Sequence, residues 1–131
     1  MNVINVYLAH LDAARLAVRE VLLGLYGPGL NWQPQPTTPS LFALAHSVLM
    51  VEQREIAVAL GGREAVALAL DNDDPSDLLF YLDDAASTTT AVLAALDEHN
   101  LEVQERLLTT LEGYHEHLGR MRLTRQLWEA M

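Results

Sequence analysis

Ile4–Leu25 reads INVYLAHLDAARLAVREVLLGL. Its residues Ile4, Tyr7, Leu11, Ala14, Val18, Val21 and Leu25 recur at three- and four-residue spacing, which predicts an amphipathic helix of about six turns with one inward stripe. Tyr26-Gly27-Pro28-Gly29 stops it. Leu30–Thr37 has two prolines at alternate positions and no periodicity, and reads as an ordered extended loop. Thr38 then offers a cap hydroxyl, and Pro39 suits the first helical position, where its missing N–H is harmless.

The second predicted helix carries its stripe as Phe42, Ala45, His46, Leu49, Gln53, Ile56 and Leu60, and ends at Gly61-Gly62. Two polar side chains therefore interrupt an apolar seam. The stretch from Arg63 to Asp73 reads as a connection with one short turn at residues 64–70. It leads to Asp74-Pro75-Ser76-Asp77, whose acids suit the positive end of a helix. The third helix uses Leu79, Leu82, Ala86, Thr89, Leu93 and Leu96 and runs to about His99-Asn100. Asn100 caps the fourth, whose inward residues are Leu107, Leu111, Tyr114, Leu118, Met121 and Trp128. No apolar–polar alternation competes, so the chain reads as all-α. The near-absence of a link between helices 3 and 4 makes them antiparallel neighbours in a four-helix bundle, with longer joints free to run along it.

At 131 residues the chain reads as a single domain, 1–131, long enough to hold a core of its own. It contains no cysteine, so disulfides, thiolate metal sites and cysteine nucleophiles are excluded. Its 18 acidic residues outnumber 8 basic ones, all arginine, for a formal charge of -10. Eleven acids lie from Glu64 to Glu105 with no base until Arg106. Such a surface repels phosphate backbones and anionic lipid, which argues against nucleic acid or a membrane as partner. No basic leader and no apolar run of about 18 residues is evident, so a cytoplasmic location is expected.

The histidines are His10, His46, His99, His115 and His117. His10 and His99 read as solvated. His46 falls on the inward seam, where an imidazole is either a hydrogen-bonded core residue or a metal ligand. His115 and His117 diverge by about 160° on a helix, so at most one of them joins a given site. Neither has a second ligand four residues away. Ser40, Ser47, Ser76 and Ser87 lack a nucleophile-elbow setting, Gly61-Gly62 has no phosphate-loop lysine, and the six aspartates among residues 71–84 lack a calcium loop's glycine and terminal glutamate. Trp32 and Trp128 read as apolar anchors at the bundle ends.

Three segments resemble the DinB-like, or YfiT-like, superfamily of small bacterial four-helix bundles. LYGPGLNWQPQPTTPSLFALA (Leu25–Ala45) is similar to its helix-1 exit, Trp-x-Pro loop and second helix. His46 stands where that helix supplies a metal-binding histidine, followed by an acid at Val51-Glu52. Glu116-His117-Leu118-Gly119-Arg120 resembles the last-helix pattern His-x-x-Glu-His-x-Gly-Gln. The resemblance implies an up-down-down-up bundle with a long crossover between helices 2 and 3, often a homodimer. It also implies a divalent metal, nickel, zinc or iron, held by three histidines, and an S-transferase type of enzyme acting with a small thiol cosubstrate. Of that triad His46 and His117 are present, whereas Gly113 stands where the pattern has histidine and Arg120 replaces its glutamine. The competing expectation is a non-catalytic dimeric binding or structural bundle with a decayed metal site, in which His46 and Gln53 form a polar pair in the core.

Overall fold

A computed structural model of the chain describes residues 2–131, and these are all-helical, with no strand among them. The elements are α1 (Val3–Leu22), α2 (Gly27–Asn31), α3 (Leu41–Glu52), which continues as a π-helical turn (Gln53–Val58), α4 (Ser76–Leu93) and α5 (Leu101–Glu129). Helix α5 packs against α1 and α3, while α4 packs against the other sides of both. The core between them is aliphatic, with Leu11, Val18, Leu22, Leu41, Leu78, Leu107 and Met121 essentially inaccessible.

Helix α1 buries Ile4, Leu11, Ala14, Val18 and Val21 as its spacing predicts. It stops earlier than expected, at Leu22, because Gly24 turns the chain at φ 77, a left-handed conformation open to glycine. Arg125 of α5 secures that end, its Nη1 donating to the carbonyls of Val21 at 2.7 Å and Leu23 at 2.9 Å. A cation on the last carbonyls of a helix satisfies orphan acceptors and meets the negative end of the dipole. At the other end of α1, the Val3 N–H donates to Glu98 at 2.8 Å.

The segment read as an extended loop contains the short helix α2, begun by Pro28 in its first turn. Asn31 explains why it folds there. Its Nδ2 donates to Gly27 O and to Asn72 O, both at 2.8 Å, so α2 is tied to residues 63–73, the segment that crosses from the π-helical turn to α4 (the crossover). Sequence periodicity cannot register a five-residue helix held by such a long-range contact. Trp32 and Trp128 do pack together as end anchors, their rings tilted by 50° with centroids 5.9 Å apart.

Helix α3 is capped by Ser40, which accepts from Ala43 N at 3.1 Å, and not by Thr38. The Thr38 hydroxyl instead closes a turn on the N–H and C=O of Gln35. Residues 64–70 form no regular element, in place of the expected short turn. Pro75, and not Asp74, takes the N-cap position of α4, one residue later than expected. The Asp74 carboxylate accepts from Ser76 N at 2.7 Å in the turn before it, and hydrogen bonds from the Ser76 side chain and then its backbone hold the Asp74 carboxyl below the usual range. Helix α4 ends at Leu93, six residues before His99, while Asn100 caps α5 by accepting from Glu102 N at 2.9 Å.

Replacing Asn100 with Ala should lower the unfolding free energy by about 1 kcal/mol in urea titration, with Asn100→Asp close to wild type.

Candidate functional site

Four polar side chains, one from each long helix, meet in the middle of this aliphatic core. Glu52, the last residue of α3, is 2% exposed, Thr89 of α4 and Tyr114 of α5 are each 1%, and Arg15 of α1 is 6%. Glu52 is the shared acceptor. Its Oε1 takes hydrogen bonds from Arg15 Nε at 3.1 Å and from the Tyr114 hydroxyl at 2.6 Å. Its Oε2 takes a close one from Arg15 Nη2 and one from the Thr89 hydroxyl at 2.5 Å. A carboxylate offers about four acceptor positions, and here all are used in a forked guanidinium pair flanked by two hydroxyls. No buried side-chain nitrogen or oxygen among the described residues lacks a partner.

The cluster is electrostatically polarised. Burial works against the charge on Arg15, but the hydrogen bonds and charge of Glu52 outweigh it and hold the guanidinium above its ordinary range. Burial, with the adjacent Glu52 charge, pushes the Tyr114 hydroxyl well above the usual tyrosine range. Tyr114 therefore stays a neutral donor.

Immediately after Glu52 the helix widens into the π-helical turn, closed by Ala59 N to Arg54 O at 3.1 Å and Gly61 N to Ile56 O at 2.9 Å. The wider turn buries three consecutive residues, Glu55, Ile56 and Ala57. Glu55 is answered by Arg106 Nη1 at 2.8 Å. Such single π turns recur at functional sites. Beside this one lies a cleft of about 200 Å³, bounded by the turn, α4 and the crossover, with Glu52 and Thr89 on its inner wall. Gln53 sets the outer wall, its Oε1 accepting from Val66 N at 3.0 Å. That bond turns the amide oxygen of Gln53 toward the crossover.

The two sequence-predicted ligands occupy different flanks. His117 is half-buried, and its Nδ1 lies 2.7 Å from the Gly113 carbonyl. A carbonyl only accepts, so Nδ1 carries a proton, and in the neutral imidazole Nε2 holds the lone pair. Gly113 meets α3 at Val51, whose Cγ1 would stand 3.2 Å from any Cβ added there, and Leu44 shares a second cleft with Arg120 and Thr124 of α5. Leu44 and Val51 thus mark the edge of α3 that faces α5. At 100° per residue His46 lies about 140° round from Val51, on the side toward α4. It is half-buried there instead of filling the seam. Ser47 lies within about 60° of both marker residues, and its hydroxyl donates to Ala43 O at 2.9 Å. His10, His99 and His115 are exposed, as are Glu112 and Glu116. Among the described residues no three His, Asp or Glu side chains are grouped to hold a metal ion. The residues present do not fit a three-histidine metal site.

Arg15 was the functional-looking residue that pattern reading missed. Its signal was nonetheless present, since Leu11, Arg15, Val18 and Leu22 follow helical spacing and place a charge on a buried face.

No family model matches the chain and no curated protein matches it. Among solved structures it is similar to a conserved protein from Enterococcus faecalis, with a TM-score of 0.77 and 18% identity, over 100% of this chain and 99% of that one. At that identity the likeness is one of fold. No helix among the described residues is long and apolar enough to cross a membrane.

Two outcomes follow from the cluster. Glu52→Ala should cost about 3–5 kcal/mol in chemical denaturation, because it strands the buried Arg15 charge, whereas Thr89→Val should cost roughly 2 kcal/mol. Because the folded Tyr114 binds its proton more tightly than the unfolded chain, its contribution is intact below the ordinary tyrosine value of 10.0 and is lost as pH rises beyond it. Alkaline titration by tyrosinate absorbance should therefore show one of the four tyrosines ionising only with unfolding, and Tyr114→Phe should remove that step.

Proposed function

We propose that the chain is a DinB-like four-helix bundle of up-down-down-up order that works as a non-catalytic binding module, its histidine-held metal site decayed. The order is supported by contacts at both ends of the helices. The start of α1 meets the joint that leads into α5 through Val3 and Glu98, and its end meets the later part of α5 through Val21 and Arg125, so the two run in parallel. Helix α3 meets α5 in reverse, Glu55 with Arg106 and Glu52 with Tyr114. Helix α4 runs against α1, Asp83 reaching Arg19 at 2.5 Å while Thr89 lies near Arg15 through Glu52. Residues 63–73 then form the long crossover between two parallel helices. The resemblance carries a homodimer and a cytoplasmic location with this reading.

The observation that carries the loss of the metal site is the packing of Gly113 on Val51, together with the placement of His46 on the far flank. Where a third ligand would stand there is no side chain, and a Cβ there would press on valine. One feature favours the opposing reading of a thiol-dependent S-transferase with nickel, zinc or iron on His46 and His117. The Gly113 carbonyl fixes the His117 tautomer that leaves Nε2 available, as second-shell bonds do for ligating histidines.

Elemental analysis of untagged protein, with thermal denaturation in added nickel, zinc or manganese, separates the two. The binding-module reading expects no stoichiometric divalent ion and no metal-dependent shift, with His46→Ala and His117→Ala behaving as wild type. A bound ion at one equivalent that His117→Ala abolishes would overturn it.

A further inference from the structure

We propose that the cleft beside the π-helical turn binds a small organic ammonium ion with an apolar body. This rests on the binding-module reading and names its site and ligand class. The cleft, at about 200 Å³, falls below the ~300–1,000 Å³ typical of sites for drug-sized ligands, so its occupant is small. Its walls are mainly apolar, with Leu49 and Ala57 from the α3 side, Leu68 from the crossover, and Ala85 and Tyr81 from α4. These surfaces accept a hydrocarbon or aromatic body, and burying it supplies the non-directional part of the affinity.

Charge at the opening selects the head group. Glu64 and Asp84 line it, both exposed, and neither takes part in an ion pair among the described residues. Arg63 is the one base there, so two carboxylates oppose one guanidinium. The wider field has the same sign. Two of the cleft's three sides, the crossover after Arg63 and α4, lie in the stretch that carries eleven acids without a base, on a chain of net charge -10. Carboxylates at the mouth of an apolar cleft, with low-dielectric walls, focus field lines and concentrate cations. The ring of Tyr81 adds a π surface for a cation.

Glu52 takes no direct part in holding the head group. Its four acceptor positions are filled by Arg15, Tyr114 and Thr89, so the ammonium stays near Glu64 and Asp84 while the apolar end points inward. The cluster acts as a rigid inner wall. Gln53, bound to Val66 N, holds the crossover in place as the opposite wall.

The test uses phenethylamine and its near-isostere 3-phenylpropionate as probes, followed by amide chemical-shift titration to about 10 mM. Phenethylamine should shift the amides of Val66, Ala85 and Thr88 in a saturable way, and 3-phenylpropionate should not. Glu64→Gln combined with Asp84→Asn, both at exposed positions, should weaken amine binding roughly tenfold, and about 0.5 M salt should weaken it severalfold. Ala85→Leu, which fills the cleft, should abolish it while the other amides keep their native positions. The proposal is overturned if the carboxylate binds as well as the amine, if the amine does not saturate, or if its shifts fall outside the cleft. Those results leave the metal analysis untouched, and a stoichiometric metal would overturn the binding-module reading whatever the amine does.

Discussion

The Glu52 carboxylate is the constraint around which the four long helices are arranged. An ionised group in a core of leucine and valine is tolerated only when its charge and lone pairs are answered, and here the answers come from α1, α4 and α5. Each long helix contributes one polar atom or group at one depth. Sliding any helix by a turn, about 5.4 Å, would leave a guanidinium, a hydroxyl or the carboxylate buried without a partner. Leucine contacts alone admit such slips at modest cost, because one aliphatic knob fits another's hole nearly as well. The polar cluster therefore supplies the register, while the aliphatic core supplies most of the stability.

The π-helical turn follows directly from that position. An α-helix continuing past Glu52 at 100° per residue could not bury Glu55, Ile56 and Ala57 together with a narrow stripe. The wider turn does so, aiming Glu55 at Arg106 and Gln53 at the crossover. Gly61 ends the arrangement, since a Cβ there would come 2.6 Å from Ala57 O and 2.9 Å from Val92. The cleft is a consequence of this geometry: a widened turn, an adjacent helix of small residues such as Ala85, and a crossover pinned at one side chain.

Much of this was legible in the sequence, and the misses share a cause. The stripes of α1 and α5 and the Asn100 cap depend on residues three or four apart, which periodicity reads well. Leu79 and Ala86 of α4 proved half-buried where Leu78 and Val92 are buried, because the neighbours of α4 fix its rotation and its own weak pattern does not. Helix α2 depends on Asn31 meeting Asn72, 41 residues away, and the π turn depends on contacts with α5 and the crossover. Local pattern carries no trace of such contacts. His46 departs from the inward seam for a related reason. Phe42 and Leu49 flank it at helical spacing, which places it near the apolar face, but the edge of that face opposite α5 belongs to Leu44, Ser47 and Val51.

This also explains how the frame can stand without the histidine triad that the sequence resemblance implies. In a small metal domain the ion supplies the folding energy, so losing a ligand unfolds the chain. Here the central cross-link is the carboxylate of Glu52 with its three partners, and the core around it is closed by aliphatic packing from all four long helices. Gly113 lies on the flank between α3 and α5, outside that cluster. A side chain absent there removes no buried contact on which the register depends, and Val51 fills the space. The fold and the histidine site are thus physically separable, and what joins the fold to the cleft is Glu52, which faces the cluster with its oxygens and closes the cleft's inner wall.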